Sequence, residues 1–423
     1  MVASTDIKFY VHTNNNAPQL TNNFGCMIDV LDACLVNGFG AQSVSTLKAT
    51  GKVVTVTFGA AHNLMQYQVI KITGANQSEF NGEHRILSVP NATSFTFELA
   101  NTATVSQATG TIVCSLPPLG WEKPFSSAAA TGTGGKAAYR STNLLLASRP
   151  FLRVVDELDP AYTATYAKYA KVGIVEDMTD INTMLGVQAP YDSANPDKNW
   201  VGTGSGASAM NGWAKWYYAS AFQALSSTLD TSSAAGNRKW ILIGNKDYFY
   251  ILPTLIETDT HALTYGFGSF KAYLAADLSN TFLSATLNYA AVSSNLYKGA
   301  YTGLGATTSK TLVLRAYTQT AQYKEIESFS ASLNKASQIM YSGTSNYTSA
   351  YTLTNEVVFA PVFMREVDTN VLRGEMFNFY WLFQSQPYPN HMIFTKQNQL
   401  FIAVNVAPYQ SQAGQVVVKI GDA

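Results

Sequence analysis

The sequence is divided into short apolar segments that alternate with polar residues and end at glycine, asparagine or proline. Residues 94–99, Ser-Phe-Thr-Phe-Glu-Leu, place every second side chain on the same face of an extended chain. This period of two is typical of a half-buried β-strand. Only residues 24–35, 217–229 and 328–339 carry apolar residues at a spacing that suits a helix. The pattern predicts a mainly β protein with minor helix.

Residues 41–116 hold several strand-like segments in close succession. These segments are 52–58, 67–73, 83–89, 94–99 and 110–114. Turn residues separate them, and Asn81-Gly82 is the strongest turn signal because both residues tolerate a positive φ. Short strands at this spacing predict a compact sandwich or barrel. Pro117-Pro118 marks the end of the module, since proline cannot donate to a strand ladder.

Two further units flank this module. Residues 1–40 are expected to hold a strand near 6–12 and the helix over 24–35, and to pack with the main domain. Residues 117–423 are expected to form a larger β-rich assembly domain. Its predicted strands lie at 151–156, 239–252 (a pair around a turn), 270–273, 311–315, 356–364, 376–383, 399–406 and 415–420.

The chain carries few charges. Charged residues make up 13% of it, about half of the ~25% that is usual in soluble domains. Polar uncharged residues replace them, and the chain has 24 Tyr, 22 Phe and 6 Trp. Protein interfaces are depleted in Lys and Glu and enriched in Tyr and Trp. We therefore expect a chain that buries much of its surface against neighbouring copies.

Composition also argues against several partners. The formal net charge is zero, so no specific nucleic-acid binding is expected. No apolar run is long enough for a membrane span, and the N-terminus lacks the basic and apolar regions of a secretory signal. The cysteines Cys26, Cys34 and Cys114 are predicted to be buried thiols in a protein made in a reducing cytoplasm.

Two clusters of carboxylates are the main candidates for chemistry. They are Asp156, Glu157 and Asp159, and Glu176, Asp177 and Asp180. Glycoside hydrolysis requires a pair of carboxyl groups on either side of the scissile bond. The spacing within each cluster selects neither an acid nor a nucleophile, and both clusters also fit turns. The expectation is therefore a protein that is not an enzyme.

Other binding motifs are incomplete. The glycine-rich run 131–136 ends in Lys136 but continues with Ala137, where a phosphate-binding loop needs Ser or Thr. The acidic residues around Glu257 and Asp259 lack the frame of a calcium loop. None of the histidines has a partner at ligand spacing; they are His12, His62, His84, His261 and His391. The sequence thus predicts no catalytic, cofactor-binding or metal-binding residue and no cofactor.

Several segments resemble those of structural proteins from tailed bacteriophages and prophages. The first is residues 31–40, Leu-Asp-Ala-Cys-Leu-Val-Asn-Gly-Phe-Gly. The segments 72–75, 80–89 and 94–97 are similar, in that order, to small Ig-like modules of phage tail, baseplate and decoration proteins. Further segments that fit this group are 120–125, 139–140, 362–366 and 372–374.

The resemblance implies an Ig-like β-sandwich at 41–116 and a structural role in a virion made in the bacterial cytoplasm. The tail, neck or baseplate is the favoured position. The implied partners are copies of this chain, as a homo-oligomer, and other virion proteins. Two alternatives stay open, namely a capsid-surface decoration protein and a receptor-binding or polysaccharide-degrading virion protein.

Overall fold

The structure is a computed structural model of the chain. It describes residues 3–205, 210–224, 232–288, 304, 310–330, 357–366, 368–384, 386–409 and 412–423. Within these residues the fold is mainly β, as the sequence predicted. The predicted N-terminal helix is present as α1 (Cys26–Leu31), which continues as a π-helical turn over Asp32–Asn37. No helix of the described residues is long and apolar enough to cross a membrane.

The strands are numbered in chain order. They are β1 (Lys8–Val11), β2 (Phe39–Thr50), β3 (Val53–Phe58), β4 (Val69–Ala75), β5 (Gly82–Asn91), β6 (Ser94–Glu98), β7 (Gly110–Leu116), β8 (Trp121–Ala128), β9 (Gly134–Ser141), β10 (Phe151–Glu157), β11 (Lys168–Asp180), β12 (Thr183–Ala189), β13 (Ala214–Ala219), β14 (Trp240–Gly244), β15 (Tyr248–Pro253), β16 (Tyr265–Ser269), β17 (Lys271–Ala272), β18 (Thr281–Ser284), β19 (Thr286–Leu287), β20 (Lys310–Val313), β21 (Lys324–Ser330), β22 (Phe359–Glu366), β23 (Leu372–Leu382), β24 (Ile393–Lys396), β25 (Gln399–Tyr409) and β26 (Gln412–Asp422). A 3₁₀ turn covers Ser78–Phe80.

Strands β2 to β7 close into a barrel in the order β2-β3-β6-β5-β4-β7. The sequence located five of these strands but missed β2, whose side chains are mostly polar and only partly buried. Closure depends on β2, because its first residues pair with β7 and its later residues pair with β3. The structure therefore shows a closed barrel at this place, and it does not specifically show the Ig-like sandwich that the resemblance implied.

The barrel lies against the free edge of β1. The Gln68 Nε2 atom donates a hydrogen bond to the Phe9 carbonyl over 3.0 Å. The Arg85 guanidinium donates to the carbonyls of Ile7, over 3.0 Å, and Ser4, over 2.8 Å. An edge strand usually leaves such groups open to other chains. Here side chains of the barrel satisfy the Phe9 carbonyl of β1 and the carbonyls of Ile7 and Ser4 just before it, so the barrel is fixed to the rest of the protein.

Replacing Gln68 with leucine is expected to lower the free energy of unfolding by about 1.5 kcal/mol, because Phe9 and the Asn14 side chain lose buried hydrogen bonds. Urea denaturation followed by tryptophan fluorescence measures the change. Gln66 is exposed, and among the described residues its side chain donates to the Leu87 carbonyl. The matched variant Gln66→Leu should change stability by less than about 0.5 kcal/mol. Equal losses in the two variants would contradict this role of Gln68.

The other strands form two antiparallel sheets. The smaller has seven strands in the order β19-β13-β11-β10-β9-β8, with β12 also beside β11. The larger has 13 strands in the order β1-β14-β15-β16-β18-β20-β21-β22-β23-β26-β25-β24, with β17 beside β23. Trp216 of the smaller sheet joins the two, since its indole donates to the Ser284 carbonyl over 2.8 Å and its ring stacks 5.9 Å from that of Tyr265.

The helices predicted over 217–229 and 328–339 are wrong where the structure describes these residues. Residues 217–219 belong to β13, and residues 328–330 belong to β21. Residues 220–224 form a loop after β13, and residues 225–229 and 331–339 lie outside the described residues. Strand β13 is buried along its whole length. A strand covered on both faces gives a continuous apolar run, and periodicity cannot distinguish that run from a buried helix.

Candidate functional site

Asp156, in β10, is fully buried, and its side chain contacts the first residues of α1. Its carboxylate accepts hydrogen bonds from the Met27 amide, over 3.0 Å, and from the Tyr218 hydroxyl, over 2.7 Å. Burial raises the pKa of Asp156 to about 6, although these hydrogen bonds favour the charged form. A Cβ on Gly134 (φ +93°) would lie 1.9 Å from the Asp156 carbonyl oxygen, so only glycine permits this close approach. Asp156 therefore holds α1 against β10.

The other two acids of this cluster are also engaged. The buried Asp159 carboxylate lies 2.5 Å from the Lys171 ammonium and accepts the Gly202 and Ala161 amides. Burial opposes its ionisation, but the charge and hydrogen bond of Lys171 hold the pKa of Asp159 below its ordinary value. Glu157 lies 3.9 Å from the Lys136 ammonium. The three acids thus contact different partners and do not converge on a shared space.

The second cluster divides between a cleft and the surface. Asp177 and Asp180 are exposed. The Asp177 carboxylate accepts the amide of its neighbour Met178 within β11, and the Asp180 carboxylate accepts the Asn182 and Thr183 amides at the turn into β12. Glu176 faces a cleft and pairs with Arg315, whose Nε lies 3.1 Å from its Oε1, while its Oε2 accepts the Val187 amide over 2.8 Å. Burial opposes ionisation of Glu176, yet the Arg315 hydrogen bond and the Val187 amide hold its pKa below the ordinary value.

The cleft lies between the two sheets and has a volume of about 850 Å³. One wall comes from β11, β12 and the loop after β12, which carries Tyr191 and Asp192. Trp213 lies just before β13. The opposite wall comes from the segment between β20 and β21 and from the start of β21, including Arg315 and Glu325. Ligand pockets commonly enclose about 300–1,000 Å³, so this cleft is the candidate functional site.

The histidines lie in several environments. His62 and His84 belong to the barrel, where His84 stacks 4.1 Å from Phe97. His12 is half-buried, and the His261 ring lies 2.6 Å from the Gln386 amide. Burial lowers the pKa of His391 to about 4. Among the described residues no three His, Cys, Asp or Glu side chains come together as metal ligands would.

The remaining sequence candidates have structural positions. The predicted buried thiols are confirmed, since Cys26, Cys34 and Cys114 are all free and buried. The glycine-rich run 131–136 covers the end of the turn between β8 and β9 and the first residues of β9, whereas a phosphate-binding loop leads into a helix. Asp259 is buried and accepts the amides of Ala224 and His261.

Sequence reasoning singled out one residue of the cleft, Glu176. It missed Arg315, which is 139 positions away, and the aromatic residues Tyr191, Trp213 and Tyr323. Their local sequence gives no sign that they share a space. Only the packing of one sheet on the other brings these segments together.

Comparisons of the sequence and the structure with known proteins do not assign this chain to a family. No protein-family profile matches the sequence, and no curated protein matches it. A solved structure titled "Phage phi92 endosialidase" aligns with a TM-score of 0.17 and 8% identity, covering 90% of this chain and 52% of that one. This chain therefore spans about half the length of that protein. At that score the alignment assigns neither a fold nor a function to this chain.

Proposed function

We propose that the protein is a structural component of the virion of a tailed bacteriophage, present in repeated copies in the tail, neck or baseplate. The observation that carries this proposal is the set of apolar side chains at the surface of a charge-poor chain. Leu144 and Leu145, between β9 and β10, are 78% and 92% exposed. Tyr273, Leu278 and Leu372 are exposed at and beyond the ends of the paired strands β17 and β23. Clustered apolar surface favours burial against other subunits.

Three further observations support the proposal. The sequence segments that resemble phage structural proteins include 31–40, which spans the end of α1 and the first residues of β2. Buried side chains, and not a linker alone, join the barrel to the larger sheet. A rigid connection of this kind suits a structural protein. A structural role without catalysis also agrees with the packing of Asp156 and Asp159 into the core. The alternative is that the chain is a decoration protein on the capsid surface.

Mass spectrometry of density-purified particles from a lysate of the phage or prophage that encodes this chain tests the proposal. We expect its peptides to follow the particle band at several copies per particle, because the exposed apolar side chains favour contacts with neighbouring subunits. A host cytosolic protein should be absent from the same band. Finding the chain only in the particle-free fraction would sink the proposal. Gold-labelled antibodies against the barrel would then distinguish the tail, neck and baseplate from the capsid surface.

A further inference from the structure

The cleft between the two sheets combines aromatic rings with amide groups. Tyr191 is 38% exposed at its mouth, and Trp213 and Tyr323 contribute to its walls. The rings of tyrosine and tryptophan have an apolar face and a polar tip. Such faces pack against the C–H faces of sugar rings, which are flat and apolar on one side. The lining thus suits a ligand that presents both apolar faces and polar edges.

The polar groups of the cleft match hydroxyl groups, which both donate and accept. The Gln188 Oε1 atom accepts from the Trp200 indole over 3.4 Å, which leaves its amide nitrogen as a donor. Gln322 is exposed at the opposite wall. The Glu325 side chain has no hydrogen-bond partner among the residues that the structure describes, so its carboxylate is an available acceptor. Donors and acceptors therefore face the same space from both walls.

The charges of the cleft favour a neutral ligand over an anion. Arg315, the cation of the lining, is neutralised by Glu176, whereas Asp192 and Glu325 leave the lining acidic. An acidic lining repels nucleic acids and acidic polysaccharides. A cationic ligand would gain little from the Trp213 ring, because the Lys198 ammonium already lies 5.7 Å from the centre of that ring.

We propose that this cleft binds a neutral oligosaccharide, held by stacking on Tyr191 and by hydrogen bonds to Gln188, Gln322 and Glu325. The proposal goes beyond the structural role, since it concerns a ligand of the chain and not its place in a particle. It involves binding only and no bond cleavage.

Isothermal titration of the full chain with neutral hexasaccharides tests this proposal. The probes are maltohexaose, chitohexaose and mannohexaose, with hexagalacturonic acid and tetramethylammonium as charged probes. We expect at least one neutral probe to bind with a Kd below about 1 mM, and more tightly than either charged probe. The proposal is overturned if no neutral probe binds at that concentration, or if a charged probe binds more tightly.

Variants then locate the site. Tyr191→Ala is expected to weaken binding of the neutral probe about tenfold, since it removes an exposed stacking ring. Tyr166 is 44% exposed and lies outside the cleft, so Tyr166→Ala should bind like the unmodified protein. Glu325→Gln removes a charge and one acceptor while leaving the size of the side chain unchanged, and should weaken binding severalfold. Equal affinities of the Tyr191 and Tyr166 variants would place binding elsewhere and overturn the proposal.

Discussion

Replacing Arg373 with methionine is expected to destabilise the protein by about 3–5 kcal/mol, because the change leaves buried carboxylates without their cation. Arg373, Asp277 and Glu366 have side chains with 0% exposure. The guanidinium contacts Asp277 through two nitrogens, one of them at 2.7 Å, and Glu366 through a third at 2.6 Å. It also donates to the Arg315 carbonyl over 3.0 Å. Urea denaturation at pH 7 measures the loss.

The control for this variant is an ion pair at the surface. Lys324 lies 2.5 Å from Asp368, with side chains that are 29% and 55% exposed. Lys324→Met should cost no more than about 1 kcal/mol, because water already solvates both groups. Arg373→Lys should recover only part of the stability, since an ammonium keeps the charge but cannot make the two-pronged contact with Asp277. Similar losses in Arg373→Met and Lys324→Met would show that the buried network is not a special source of stability.

Much of the strand content could be predicted from the sequence, and the reason is local. In β3, and from Phe95 onward in β6, buried and less buried residues alternate, and this is the pattern that the sequence displays. Strand β2 escaped prediction because most of its side chains are polar. The sheet order was beyond reach, since it depends on distant pairs. Arg373 and Asp277, for example, are 96 positions apart, and neither has a local signal of its partner.

The candidate site shows the same limit. Acid clusters can be found in a sequence, but their spacing does not tell whether a carboxylate faces a cleft or the core. Glu176 and Asp156 looked equivalent as candidates, yet Glu176 lines the cleft while Asp156 has no exposed surface. The barrel was recognisable as a compact β unit because its strands follow one another closely. Whether those strands close into a barrel depends on how β2 divides between β3 and β7.

The free energy of unfolding of the protein is expected to fall as pH rises from 4 to 7, because Asp156 must ionise in the core. Replacing Asp156 with asparagine should abolish this part of the pH dependence. Burial raises the pKa of Asp156 to about 6 in the folded chain, whereas an unfolded aspartate titrates near 3.9. Between these values the folded chain binds more protons than the unfolded chain, so stability falls as pH rises. The contribution of the carboxyl is full below about pH 4 and is lost as pH passes 6, a change of about 2 kcal/mol between pH 4 and pH 7.

The test compares free energies of unfolding of the unmodified protein and Asp156→Asn at pH 4, 5, 6 and 7, because the difference cancels other titrating groups. Asparagine can still accept from the Met27 amide and can donate to the Tyr218 hydroxyl oxygen, because that hydroxyl can turn its proton from position 156 to the Asn23 carbonyl, which lies 3.0 Å away. The unmodified protein should lose stability relative to the variant as pH rises.

Asp180 provides a control of opposite sign, because hydrogen bonds from Thr183 and Asn182 lower the pKa of its carboxyl. The unmodified protein should therefore gain stability relative to Asp180→Asn as pH rises. If the difference in free energy of unfolding between the unmodified protein and Asp156→Asn stays constant from pH 4 to pH 7, the prediction is wrong, because Asp156 then does not have a raised pKa.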